Sequence, residues 1–471
     1  MLFDGTIRET ASDDGTAAGL TLELHLAAVP RGKHSEALAT ELRAAIRGRR
    51  LVAGSRLPAT RVLAGALGTS RGTVVRAYEQ LVAEGYLFAR QGRGTEVAPV
   101  STPPDAGPLR SERRPTNPGL PAGSTFPRRA WARCATRALA TLPDADLGYG
   151  DPAGLAALRR EVVAYLGRVR ATSASPDQVV IVNGFAQAAR LLADVLLRRG
   201  IHRVGVEDPG SAGLREQLAY ASIDCVGIPL DDEGIRVDAL DRSGVRAVFV
   251  TPAHQFPTGV VLSPGRRRDL LAWAAERSGL VIEDDYDAEL RYDRAPIGAL
   301  QGLDPDHVVY GGSVSKTLAP GIRLGWLIAP EPLVRGVVEA KYAADLGTGV
   351  LEQATLAELL SCGAYERHLR HATRTHRRAR DRLVAALADH LPDWRVSGAA
   401  AGLHLVATPP TGDEAAIARA ASEAGLDARP LGAYAIAPTD GPALVIGYGH
   451  QRPEHLDAAV RALATRLAHG R

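Results

Sequence analysis

From about residue 125 onward, short apolar runs alternate with helical stretches for about 200 residues, and this rhythm constrains the fold more than any other feature of the chain. The runs are VVIVN (179–183), VGVED (204–208), AVFVTP (247–252), LVIEDDYD (280–287), HVVYGGS (307–313) and LGWLIA (324–329). Between them, segments such as 153–170 and 184–199 read as helices. Strand–helix alternation predicts an α/β domain with a largely parallel sheet. Residues 350–471 return to long amphipathic helices with a few strands, including LHLVAT and ALVIGYG, which predicts a smaller α+β lobe. The expected α/β body is therefore 125–471, with a large lobe over about 145–340 and a small lobe over about 350–471.

The first hundred residues follow a different pattern. Residues 35–48 carry Leu38, Leu42, Ala45 and Ile46 as a helical stripe. LVAGSRLPAT then turns the chain, and residues 60–67 predict a short second helix stopped by Gly68. Ser70 is placed to cap a third helix running to about Glu84, and Gly85 ends it. YLFARQGRGTEVAPV reads as a two-stranded hairpin around Gln91-Gly92-Arg93-Gly94. Two helices, a turn and a third helix opening Ser70-Arg71-Gly72-Thr73 make a helix-turn-helix, whose third helix must bring its N-terminal side chains to base edges in a major groove. Arg71 and Thr73 sit at that end, Arg56, Arg61 and Arg76 flank it, and Arg93 rides the hairpin tip.

Charge supports this reading. Residues 31–95 hold 12 Lys+Arg and 4 Asp+Glu, a local balance of +8 in a chain of net charge +3. A small basic module on a mildly acidic body suits a double-stranded DNA operator as partner, with phosphate contacts supplying salt-dependent affinity. The bland alternative is a basic helical bundle that merely packs. Residues 98–124, rich in Pro and Gly and poor in apolar residues, are expected to be a linker between the 30–97 module and the body.

The remaining totals narrow the setting. Cys134, Cys225 and Cys362 lie far apart in sequence with no CxxC pair, which argues against a disulfide framework or a zinc site. No basic segment leads into an apolar N-terminal core, and no run of about 18 apolar residues occurs, so neither a membrane span nor export is expected. The expected location is the cytoplasm.

The basic residues are almost all arginine; the lysines are Lys33, Lys316 and Lys341 alone. A lysine inside a motif is therefore informative, because arginine cannot lose its proton to form an imine. Lys316 lies in GGSVSKTLAPGIRLGWLIAP (311–330). A pyridoxal 5′-phosphate (PLP) site needs one lysine for the aldehyde carbon, with hydroxyls and a guanidinium for the phosphate; Ser313, Ser315 and Arg323 supply these. The alternative, a solvated lysine in a Gly/Ser loop, fits poorly between an apolar strand and LGWLIA. Upstream, VIEDDYDAEL leaves a buried strand at Asp284, Asp285 and Tyr286. A carboxylate there can pair with a protonated pyridine nitrogen, and a tyrosine can bond the ring oxygen. Glu283, Asp284, Asp285 and Asp287 would by themselves suit magnesium; the downstream lysine decides against metal. Earlier still, the turn Asn183, Gly184, Phe185, Ala186 and Gln187 opens a helix whose N–H groups would face an anion.

Two resemblances gather these pieces. Residues 34–97 resemble the winged helix-turn-helix of GntR-type regulators. The two halves together resemble the MocR/GabR family, which joins that module to a fold type I aminotransferase-like domain. The second resemblance rests on FPRRAWARC (126–134), YGDPAGLAALR (149–159), EDPG (207–210), TPAHQFPTG (251–259), EDDYDAELRYD (283–293) and SVSKTLAPGIRLGW (313–326). It implies a multidomain chain: a mainly α winged helix-turn-helix, then an α/β PLP-dependent domain with a smaller α+β C-terminal lobe. It implies that Lys316 carries PLP as an imine and that Asp284 faces the pyridine nitrogen. Tyr286 would face the ring oxygen, while Ser313, Ser315, Arg323 and the Gly184–Gln187 turn would hold the phosphate. It further implies a head-to-tail homodimer in which Tyr149 serves the partner's site.

Three positions depart from the aminotransferase pattern. Phe256 replaces the usual asparagine near the ring oxygen, leaving His254 or Gln255 as substitutes; Ser211 replaces a common aromatic residue; and PALVIGYGH (442–450) has no arginine for a substrate α-carboxylate. The expectation is a PLP-dependent transcription regulator sensing PLP and/or an amine or amino acid. The alternative is an active aminotransferase carrying a DNA-binding head.

Overall fold

A computed structural model describes residues 6–7, 22–23, 30–90, 94–99, 118–293, 297–398 and 400–469. The chain divides into two compact units, Met1–Arg114 and Pro115–Arg471. In the first, strands Thr6–Ile7 (β1) and Leu22–Glu23 (β2) pair antiparallel. Helices His34–Arg47 (α1), Thr60–Ala66 (α2) and Arg71–Ala83 (α3) then enclose a core of Leu38, Leu42, Ile46, Leu63, Val74 and Leu81. The apolar stripe read from the sequence is thus the face that α1 buries, and burying such a face is what stabilises a helix of this length. Strands Arg56–Leu57 (β3), Leu87–Arg90 (β4) and Gly94–Val97 (β5) form a three-stranded sheet in the order β3-β5-β4. The β4–β5 hairpin is the wing.

In the second unit, eight strands among the described residues form one mixed sheet. They are Val179–Val182 (β6), Arg203–Asp208 (β7), Asp224–Asp231 (β8), Gly234–Ile235 (β9), Ala247–Val250 (β10), Leu280–Asp285 (β11), Val308–Ser313 (β12) and Gly325–Ile328 (β13), in the order β6-β13-β12-β11-β10-β7-β8-β9. β7, β10, β11 and β12 run parallel, so their C-terminal ends lie side by side. β13 turns back antiparallel between β12 and β6. Three apolar clusters flank the sheet: Leu191, Leu192 and Phe249 belong to one, Tyr165, Ile181 and Trp326 to a second, and Val248, Val281 and Trp273 to a third. Burial on both faces explains why these strands read as unbroken apolar runs. β8, with an intermediate-to-exposed pattern, had no such signal.

Strands Arg395–Ser397 (β14), His404–Thr408 (β15), Asp427–Pro430 (β16) and Leu444–Gly447 (β17) form an antiparallel sheet, order β14-β15-β17-β16. Helices Ala364–His390 and Pro453–His469 contribute Leu383, Leu387, Leu456 and Val460 to the core it shares. Part of the expected linker behaves otherwise than its composition suggests. Pro118 and Gly119 are buried, and a Cβ on Gly447 would stand 2.5 Å from Pro118. This end of the segment is therefore laid into the second unit, where glycines admit close backbone approach; residues 100–117 lie outside the described ones. No described helix is long and apolar enough to cross a membrane.

Candidate functional site

The parallel strands end around one cavity of about 400 Å³. Glu207 comes from β7, Thr251 follows β10, Asp284 comes from β11 and Ser313 ends β12. Lys316, Ser315, Tyr286, Arg323, Ser211 and Gln217 add further polar groups, Phe185 and Ala186 line it from the start of a helix, and Phe256 forms an apolar wall. Ligands in open α/β sheets gather at the carboxyl ends of the strands, where loops can turn inward without breaking the sheet.

Strand alternation separates two neighbouring acids. Asp284 faces the cavity, and its Oδ1 is shielded from solvent with no hydrogen-bond partner. Asp285, on the opposite face, accepts from Arg170 Nε at 2.6 Å and from the Tyr310 hydroxyl at 2.6 Å. Burial, reinforced by the Asp285 charge, holds the Asp284 carboxyl well above its ordinary range. A cationic N–H placed against that oxygen reverses the balance, because an opposite charge favours the ionised form.

Lys316 sits on a loop pinned from both sides. Val314 and Leu318 are buried, Val314 N donates to Leu324 O at 3.1 Å, and Leu318 N donates to Val314 O at 2.8 Å. The next residue, Thr317, is held by the Tyr365 hydroxyl at 2.8 Å and by His368 Nε2 on its carbonyl at 2.6 Å. Burial pushes the Lys316 amine below its usual range, against the opposing pull of Asp287 and Asp284. The shift favours the free amine, the form that attacks a carbonyl carbon.

An anion subsite lies beside it. Helix Phe185–Arg198 starts after Gly184, whose φ of +81° suits glycine. Arg323 donates to Asn183 O and lies over Gly184, where a Cβ would meet its guanidinium nitrogens at 3.1 Å. A helix N-terminus, two serines and a guanidinium converge where a phosphate would be held. The unpaired Asp284 Oδ1, the cradle at Gly184 and this donor set fit PLP. When bound, PLP supplies an aldehyde carbon that captures primary amines and a ring that accepts electron density.

Several expected residues stand elsewhere. Gln187 N donates to Gly184 O, and its side chain bonds Asn183 N and Asp345, so it does not line the cavity. Gln255 is spent on Glu207, Pro209 O and Phe256 O. His254 lies behind Tyr286: its Nδ1 is 3.1 Å from the Tyr286 hydroxyl and 3.0 Å from Asp287. Neither takes the place of the missing asparagine on the cavity wall, which Phe256 occupies. Conversely, Glu207 was not foreseen as a cavity residue. It is buried, bonded by the Thr251 hydroxyl at 2.6 Å, and burial raises its carboxyl to about 7. Its signal was the one that marks Asp284, an acid at the carboxyl end of an apolar strand. Gly119 and Leu120 also line the cavity, with no signal in sequence.

In the first unit, Ser70 Oγ accepts from Thr73 N at 3.2 Å and caps α3. Arg71 follows, exposed, with Arg61 and Arg76 also exposed. Arg56 is exposed and paired with Glu96 at 3.4 Å. Thr73 differs from expectation: it is buried, and its hydroxyl lies 2.9 Å from Ser70 Oγ, so it belongs to the cap. Arg93 lies outside the described residues.

Fold and site together define a class, a winged helix-turn-helix joined to a PLP-binding, aminotransferase-like domain. Comparison with known proteins agrees. Residues 34–97 match the profile of bacterial regulatory proteins of the gntR family, and residues 121–441 that of aminotransferase class I and II. The chain is 32% identical to the probable rhizopine catabolism regulatory protein MocR of Rhizobium meliloti, over 90% of this chain and 91% of that one. It is 33% identical to the pyridoxine biosynthesis transcriptional regulator PdxR of Corynebacterium glutamicum, over 76% and 81%. Among solved structures, the multiple substrate aminotransferase of Thermococcus profundus matches at a TM-score of 0.68 and 28% identity, covering 74% of this chain and 90% of that one. The chain belongs to the MocR family of helix-turn-helix regulators: it is a PLP-dependent, DNA-binding transcription regulator.

Proposed function

We propose that the cavity is a sensor, reading PLP and/or an amine that joins it, rather than a site of amino-acid turnover. One observation carries this reading. Among the described residues lining the cavity, the cationic side chains are Lys316 and Arg323, and Arg323 lies over the Gly184 turn in the anion subsite. The Phe256 wall is backed by an apolar cluster of Val406, Tyr434, Ala443 and Val445, and Ala443 and Val445 belong to the 442–450 stretch that has no arginine for a substrate carboxylate. A carboxylate buried there would lose its water without gaining a bidentate partner. In this reading Lys316 bonds the cofactor, Asp284 keeps the ring nitrogen protonated and Tyr286 bonds the ring oxygen. Ser313, Ser315, Arg323 and the first turn after Gly184 hold the phosphate. Arg71, with Arg56, Arg61 and Arg76, contacts the operator. The protein works in the cytoplasm as a homodimer; support comes from exposed Leu147, Tyr149, Tyr342, Leu346 and Leu351, apolar side chains of a kind that a partner subunit would cover.

The test pairs two titrations of the full-length protein. PLP should bring up a visible absorption band that borohydride abolishes, and Lys316→Ala should lose the band while keeping the fold. PLP, alone or with an amine, should change operator affinity about tenfold in a mobility shift, within the usual range of coupling. Steady turnover of an amino acid with a 2-oxo acid would instead establish the alternative, an active aminotransferase carrying a DNA-binding head.

A further inference from the structure

Two of the three cysteines meet in the fold although 228 residues separate them. Cys134 Sγ lies 4.0 Å from Cys362 Sγ. Cys134 is buried on helix Arg128–Thr141, and Cys362 is exposed at the end of helix Val350–Ser361. They share one depression with Arg133, Arg137, Arg367 and Glu358. Neither thiol has a role in the cofactor cavity, and both are free.

We propose that Cys134 and Cys362 form a reversible disulfide under a peroxide, a clasp that reaches the Lys316 loop. The sulfurs must approach by roughly 2 Å to reach bonding distance, a movement that side-chain rotation and a small helix shift supply. Exposed Cys362 reacts first. Its sulfur takes one peroxide oxygen as a hydroxyl while the O–O bond breaks and the other oxygen leaves as water. Cys134 then attacks: the S–S bond forms, the Cys362 S–O bond breaks, and the hydroxyl departs as a second water with the Cys134 proton. Two thiols are oxidised by two electrons, and the peroxide is reduced. The order follows from exposure and from burial, which pushes the Cys134 thiol up to about 11 and leaves it little thiolate for the first attack.

The path to the cofactor site is short. After Cys362, Gly363 opens helix Ala364–His390, whose Tyr365 and His368 are the two residues that hold Thr317, the neighbour of Lys316. On the other side, the helix bearing Cys134 follows the segment in which Gly119 and Leu120 line the cavity. A bond between the sulfurs ties the segment that lines the site to the helix that clamps its lysine loop.

Full-length protein treated with a small excess of hydrogen peroxide and digested without reductant should yield a linked Cys134–Cys362 peptide, two hydrogens lighter than the pair, which dithiothreitol dissolves. Cys225→Ser should behave likewise, whereas Cys134→Ser should leave Cys362 as a sulfenic acid that dimedone captures. Oxidised wild-type and Cys225→Ser protein should show a several-fold change in the PLP concentration giving half of the absorbance rise, and Cys134→Ser should not. A linked peptide involving Cys225, a link only between separate chains, or over-oxidation of Cys362 in wild type without any link would overturn the clasp. An unchanged half-saturation after complete linkage would overturn its connection to Lys316. Because linkage is read by mass, its failure is distinct from any failure of the sensor reading.

Discussion

Glu207 is buried, and Asp284 has its Oδ1 shielded on the same cavity, yet their partners differ. The Glu207 carboxyl already accepts from Thr251 and Gln255, while Asp284 Oδ1 has no partner. Glu207 is satisfied by neutral donors, whereas the unpartnered Asp284 oxygen faces the cavity and can take a cationic partner there. The raised pKa of Glu207 carries a stability prediction. Its folded-state proton is held more tightly than its unfolded one, so stability falls as pH climbs from the ordinary carboxylate range to about 7. Glu207→Gln should flatten that fall relative to wild type, and chemical denaturation of the cofactor-free protein across this window checks it. Equal slopes for the two proteins would show that Glu207 is charged throughout. The fate of the three neighbours Asp284, Asp285 and Tyr286 was half legible in advance. Their place at a strand end followed from the apolar run before them. The resemblance named Asp284 as the acid facing the cofactor; that Asp285 on the other face pairs with Arg170 depended on a helix 115 residues upstream.

At the scale of elements, the N-terminal helices of the first unit are positioned by local chemistry, whereas the Lys316 loop is clamped by Tyr365 and His368 from a distant helix. Ser70 caps α3 through Thr73 N, so Ser70→Ala should cost about 1 kcal/mol of stability. Arg71→Ala should leave stability unchanged and weaken operator binding, with the slope of log affinity against log salt falling by about 0.9 if it contacts a phosphate. Thermal melts and salt-dependent mobility shifts separate the two effects; equal affinity for Arg71→Ala at every salt concentration would remove Arg71 from the interface. These elements were readable because capping and amphipathic spacing act within a few residues. The engagement of Thr73 with Ser70 was not, because the pattern placed Thr73 near the bases without showing that its hydroxyl would turn back onto the cap.

At the scale of the whole molecule, the regulator reading needs two states that DNA and the cofactor distinguish, and the proposed homodimer would give the second unit a partner across which such states can differ. Leu351→Asp should shift the protein from dimer to monomer in sedimentation velocity, since a charge buried without a partner costs more than the lost apolar contact. A dimer of wild-type stability would place the subunit contact elsewhere. What the sequence determined by itself were the features fixed by short-range rules: the buried apolar strands and the helices between them, the Ser70 cap, the basic balance of residues 31–95, and the single lysine among serines and glycines. What only the tertiary structure decided were contacts between residues far apart in the chain. It set Gln255 and His254 behind the wall, laid Pro118 to Leu120 along the second unit, and brought Cys134 to Cys362. The reason is physical: propensity and periodicity act over a turn or a strand, whereas those contacts depend on how separate helices and strands pack.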